Sequence, residues 1–144
     1  MASHPAVGGW DMTGEVDGDT FSFLAIFHAD GTYMEIYPWG AILISVWQPT
    51  GERTADGTAV NYFLVDDKLV RGEGRFTAEV DEAGNAIATD GTFVSRFEDG
   101  SIEFATGGPA PGTRLEVLPV VPLETLVGTP VIRADLTREA TPAA

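Results

Sequence analysis

Glu35 stands two residues from Tyr33 and two from Tyr37, so an extended strand puts all three side chains on one face. A carboxylate between two phenols becomes an acid–base cluster when it is withdrawn from water. Lost hydration raises a carboxyl pKa, which makes the group a hydrogen-bond anchor for a ligand or a general acid or base near neutral pH. Whether His28 joins the cluster depends on the loop around Asp30-Gly31. With a two-residue loop His28 pairs with Tyr33 and shares a face with Tyr33 and Glu35. With a three-residue loop Ala29-Asp30-Gly31, a type I turn closed by a glycine bulge, Phe27 pairs with Tyr33, Ala25 with Glu35 and Phe23 with Tyr37. His28 then moves to the opposite face with Leu24, Ile26, Met34 and Ile36. Ala and Asp suit the right-handed positions of a type I turn, whereas the shorter loop demands positive φ at both central residues, so the three-residue loop is preferred. Glu35 is then surrounded by Phe21, Phe23, Phe27, Tyr33 and Tyr37, a face fit to line a cup. Plainer readings stand beside this one. Glu35 faces solvent or pairs with an arginine such as Arg96, and His28 is a strand-end residue hydrogen-bonded near a turn.

Trp47, Tyr62, Phe93 and Phe97, with Phe76, fall on other extended stretches. Rings from several strands meeting in one lumen make an apolar pocket with polar tips, and the same rings packed tightly make a filled core. Two function classes follow from the hollow form: binding of a small hydrophobic molecule, or a cofactor-free cyclase or isomerase in which Glu35, Tyr33 or His28 moves a proton on a folded substrate. The filled form leaves an assembly module.

Other chemistries find no support. His4 and His28 lack metal-ligand spacing, and His4 stands before a proline, where unstructured chain is expected. The aspartates concentrate in turns, where local hydrogen bonding accounts for them. Ser22, Ser45, Ser95 and Ser101 are not in a Gly-x-Ser-x-Gly elbow, and no glycine-rich loop leads from a strand into a helix. Cysteine is absent, which removes disulfides, thiolate catalysis and Cys-bound zinc. Neither metal nor cofactor is expected.

The chain has 144 residues, 22 acidic and 8 basic, for a formal charge of −14. That charge repels nucleic acid and anionic lipid, so neither is an expected partner. With 44% hydrophobic residues and this length, one compact domain is expected. The first residues carry no basic run followed by an apolar one. The expectation is a soluble chain, cytoplasmic or exported with a removed signal.

The elements that must position these side chains are short. Gly 17 and Pro 9 punctuate runs rich in Val, Ile, Thr, Phe and Tyr, and no segment sustains a helical period. Nine strands are predicted: Gly8 to Val16, Thr20 to His28, Thr32 to Pro38, Ala41 to Gln48, Thr58 to Val65, Leu69 to Val80, Ala86 to Glu98, Ser101 to Ala105 and Thr113 to Leu118. The links Asp17-Gly18, Asp30-Gly31, Asp66-Asp67, Asp81 to Asn85 and Asp99-Gly100 have hairpin length. Sequence neighbours therefore become sheet neighbours. An all-β, antiparallel up-and-down barrel of eight to ten strands follows, because closure removes exposed edges. Gly72, Gly74 and Asp90-Gly91 read as bulges, the last alternatively as a turn. The barrel domain is assigned to residues 1–119, and 120–144 to a non-regular tail, apolar and broken by prolines, that packs on the barrel or on a second subunit as a homodimer arm.

Gly8-Gly9-Trp10 at the head of the meander resembles the Gly-x-Trp that opens the first strand of lipocalins and other calycins. Arg114 on a terminal strand matches the position from which calycins lay an arginine over that tryptophan. The stretches 4–10, 27–33 and 47–54 are also similar to a group of bacterial lipocalin-like proteins without an assigned reaction. The resemblance covers roughly residues 4 to 119 and implies a calycin barrel with a cup for a small hydrophobic ligand. It departs at Thr89-Asp90-Gly91, where lipocalins carry Thr-Asp-Tyr. The cyclase alternative has its analogy in bacterial barrels of similar build, the allene oxide cyclase-like and pericyclase proteins.

Overall fold

The computed structural model describes residues 4–116, which form eight antiparallel strands closed into a barrel in chain order. They are β1 (Gly8–Val16), β2 (Asp19–Phe27), β3 (Thr32–Ile36), β4 (Ile42–Pro49), β5 (Thr54–Val65), β6 (Lys68–Val80), β7 (Ala86–Phe97) and β8 (Ile102–Arg114). The tail assigned to 120–144 lies outside the described residues.

The turns explain the meander. Asp17-Gly18 and Asp66-Asp67 are two-residue links with φ of 53 and 85°, and 49 and 61°, the double positive φ of a type I′ turn. The loop after β2 is the three-residue form. His28 N donates to Thr32 O, Gly31 N donates to His28 O, and Gly31 has φ 88°. Phe27 faces Tyr33 and Ala25 faces Glu35, the register this loop imposes. The same pattern recurs at Tyr37–Gly40–Ala41 and Phe97–Gly100–Ser101. Asp30 and Asp99 each accept a hydroxyl and then a backbone N–H, from Thr32 and Ser101, and Asp81 accepts the backbone N–H groups of Ala86 and Asn85, which holds all three carboxyls below the ordinary range.

Two expectations need correction. The expected break between Ser101 to Ala105 and a strand starting at Thr113 is absent: one strand, β8 (Ile102–Arg114), runs straight through Pro109 and Pro111, and the rest of the second expected strand, 117–118, lies outside the described residues. Arg114 N donates to Asn85 O beside β7, and Leu115 N to Gly9 O beside β1. Alternation therefore turns both proline nitrogens toward β1, away from the β7 ladder, so that ladder loses no donor. The β1–β8 seam shows the consequence. It pairs only Trp10 with Arg114, Asp11 with Thr113 and Met12 with Gly112. The next pair would place Thr13 opposite Pro111, which has no N–H to give, and the ladder stops there.

The second correction concerns the glycines. The pairing of β5–β6 and β6–β7 runs without a shift through Gly72, Gly74 and Gly91, and the irregularity falls instead between Ser95 and Arg96 against β8. The glycines are seats for rings. A Cβ at Gly14 would meet Phe21, one at Gly57 would meet Phe76, and one at Gly72 would meet Phe93, all at 2.5 Å or less. An inward ring needs a neighbour without a side chain, because eight staves leave little width.

Packing divides the barrel into two ends. At one end Trp10, Phe27, Tyr33, Trp47, Ala55, Val80 and Ile87 are buried, and residues 4–7 fold across as a plug with Ala6 buried. Trp10 Nε1 donates to Ala6 O at 2.9 Å, and His4 Nε2 reaches Gly51 O at 3.2 Å, so His4 is structured rather than loose. Toward the other end the inward residues Asn61, Phe63 and Val65 of β5 are only half-buried, where Ala55, Gly57 and Ala59 before them are buried. Among the described residues one end is plugged and the other is less covered.

Candidate functional site

β3 is extended from Thr32 to Ile36, and the chain then turns at Tyr37, so Tyr33, Glu35 and Tyr37 all point inward. Tyr33 Oη donates to Glu35 Oε1 at 2.6 Å, and Tyr37 Oη donates to Glu35 Oε2 at 2.5 Å. Each carboxylate oxygen is thereby held by one phenol, and among the described residues Glu35 pairs with no arginine; Arg96 instead donates to Gly100 O. Burial, and then the Glu35 charge, push both phenols well above their ordinary value. A phenol so placed donates a hydrogen bond and resists ionisation, which makes it a positioning group rather than a base.

The sign of this shift fixes an alkaline prediction. Both folded pKa values exceed the unfolded value near 10, so the stability they contribute is full below pH 10 and declines as pH rises above it. In an alkaline titration followed by the phenolate ultraviolet band, Tyr33 and Tyr37 ionise only together with the loss of tertiary circular dichroism. Ionisation of all three tyrosines of the chain in a still-folded protein would contradict this geometry.

The rings expected around Glu35 divide between two stacks. Phe23 lies parallel to Tyr37 at 5.1 Å, and Phe21 lies 6.0 Å from Tyr37. Deeper in, Phe27 meets Tyr33 at 4.5 Å and Trp47 at 5.4 Å, and Phe76 meets Tyr33 at 4.6 Å. Phe93 and Phe97 face inward and are half-buried toward the open end. Tyr62 does not join them. It is 63% exposed on the outer face, where Arg71 Nε donates to its hydroxyl at 3.2 Å. Inward positions of β5 are the odd-numbered ones, which carry the small residues Ala55, Gly57 and Ala59, so a reading by ring content chose the wrong parity. His28 is also apart from the cluster. It is exposed at the end of β2, and its carbonyl accepts from Trp47 Nε1 at 2.9 Å. Of the three residues expected to move a proton, Tyr33 and Glu35 are brought together and His28 is not.

Sequence reasoning missed four polar residues on the inner wall. Ser45 and Ser95 are buried, and Ser95 Oγ donates to Glu103 Oε2 at 2.5 Å. Ser45 Oγ and Asn61 Oδ1 are buried and, among the described residues, have no hydrogen-bond partner. Ser45 lies opposite Tyr33 on one side and Ala59 on the other, which puts Asn61 diagonally across from it. The available signal was parity: Ser45 alternates in phase with Leu43 and Trp47, both inward.

Arg114 completes the plugged end. Its guanidinium lies 4.2 Å from the Trp10 ring and donates to Gly84 O, Val7 O and Pro5 O. This is the tryptophan–arginine pairing that the resemblance implied, and the closed eight-strand barrel is consistent with a calycin-like fold. No protein-family model matches the chain, and no curated protein matches it either. Among the described residues no three His, Asp or Glu side chains gather as a metal site, and no helix is long and apolar enough to cross a membrane.

Two concavities lie outside the lumen. One of about 370 Å³ on the outer flank of β6 and β7 is lined by Tyr62, Arg71, Glu73 and Arg96. Another of about 710 Å³ runs along the β1–β8 seam past Asp11, Thr13, Pro111 and Thr113. Neither includes Glu35, Tyr33 or Tyr37. Among the described residues the inward rings around Glu35 stand close together, and neither concavity reaches them.

Proposed function

We propose that the chain binds a small, largely apolar molecule carrying at least one hydrogen-bond donor, at the open end of a calycin-like lumen. The observation that carries this reading is the pair of polar atoms, Ser45 Oγ and Asn61 Oδ1, that have no partner among the described residues, whereas Glu35 and Ser95 on the same wall are each hydrogen-bonded. A buried polar atom without a partner costs about 1–3 kcal/mol, so its retention points to a partner that arrives with a ligand. Phe21, Phe23, Tyr37, Phe93 and Phe97 supply the apolar wall toward the open end. The Glu35 carboxylate, oriented by two phenols, supplies a fixed acceptor. Catalysis of a cyclisation or isomerisation would use the same carboxylate, with Tyr33 and Tyr37 holding it in place.

The test uses N-phenyl-1-naphthylamine, an apolar probe with one N–H. A saturable fluorescence rise and a matching thermal shift are expected. Glu35→Gln should weaken binding about tenfold. Ser45→Ala, which removes an orphaned hydroxyl, should leave the empty protein as stable or more stable while weakening the probe. Absence of saturable binding, or binding that both substitutions leave unchanged, would refute the lumen site.

A further inference from the structure

The outer surface carries a second unexplained feature. Along β4, Ile42, Ile44 and Val46 are 57, 66 and 62% exposed, while Leu43, Ser45 and Trp47 between them face the core. A strand that faces water on one side alternates apolar with polar residues, and a strand apolar on both sides belongs to a sheet covered on both sides. The same holds for β5, where Val60 and Leu64 are 40 and 66% exposed beside inward Asn61 and Phe63. The register makes one patch of these rows. Leu24 faces Ile36, which faces Ile42; Ile26 faces Met34, which faces Ile44.

Charge identifies what covers the patch. Outward positions of β2, β3 and β4 between Ser22 and Gln48 include no Asp, Glu, Lys or Arg, in a chain with 30 charged residues and a net charge of −14. Two copies repel everywhere except where both surfaces are neutral. An uncharged apolar face is self-complementary, since a two-fold contact sets it against itself with no charges to match. A contiguous row of exposed aliphatic side chains of this kind marks an interaction surface rather than ordinary solvent-facing strand.

We infer that the outer face of β2–β4 is the interface with a second copy of this chain. The interface is independent of the lumen reading, because the inner and outer residues alternate along the same strands. Light scattering on the full chain should give a mass of two or more times 15.3 kDa. Higher salt should strengthen association by screening the mutual repulsion. Ile44→Glu and Val46→Lys, at exposed positions, should each shift the mass to one chain with unchanged circular dichroism, while Thr92→Glu on the opposite flank should leave the assembly intact. A parent chain that stays monomeric at ~100 µM, where a specific interface is occupied, overturns the inference. So does an assembly that both substitutions leave intact. A monomer in which an Ile44→Cys thiol resists labelling would assign the face to residues 117–144 instead, and also overturns it. The absence of native cysteine makes that readout specific.

Discussion

Trp10→Ala destabilises the folded chain by about 4 kcal/mol, the cost of emptying a large aromatic site in a core that cannot collapse around it. The side chain has no exposed surface, so the full transfer term is lost. The location adds to that loss. Trp10 sits in the three-pair seam between β1 and β8, and its ring is the seat of the Arg114 guanidinium. Arg114 in turn holds the carbonyls of Gly84, Val7 and Pro5, tying the β6–β7 loop and the N-terminal plug to the seam. Without the ring this cation keeps its hydrogen bonds but loses the face it lies on, and Ala6 O loses the indole donor. A midpoint fall of roughly 15 °C is expected in thermal unfolding. Hydrogen exchange should show Trp10 to Met12 and Gly112 to Arg114 opening first. A loss under ~1 kcal/mol would mean that closure does not depend on this seam.

Gly57→Ala is the second large effect, expected near 3 kcal/mol, the upper range for overpacking. The added Cβ would lie 2.1 and 2.2 Å from Cζ and Cε1 of Phe76. That ring has no room to retreat. Phe76 pairs with Gly57 on one side and Gly91 on the other, with Tyr33 at 4.6 Å and Phe27 at 6.0 Å. Gly74→Ala is the control, since its Cβ would find nothing closer than 3.5 Å and should be tolerated. Urea unfolding of both variants and of Gly57→Ala with Phe76→Leu checks the mechanism: the double variant should recover part of the loss. Equal costs at Gly57 and Gly74 would show that backbone entropy, not the ring, decides.

The hairpin around Asp30-Gly31 shows how far local chemistry reaches. Turn preferences alone selected the three-residue loop, and from it came the facing of Phe27 with Tyr33 and Ala25 with Glu35, and the exclusion of His28 from the cluster. Tyr62 marks the limit. With apolar residues at both parities of β5 and β4, periodicity carries no information about which face is inside, and only closure of the barrel assigns it. The glycines of β6 and β7 show the same limit, since a glycine's meaning depends on the ring across the ladder rather than on its own neighbours.

The amino-acid order by itself determined an all-β meander, the hairpin registers near its turns and the grouping of Glu35 with two tyrosines, because short links and two-residue alternation are local effects. Tertiary structure decided the strand count, which merged two segments across Pro109 and Pro111, and the parity that sends Tyr62 outward and Ser45 and Asn61 inward. It also decided that the seam holds by only three pairs. These features arise where strands distant in sequence meet, and a proline or a glycine acts there through whatever lies opposite it.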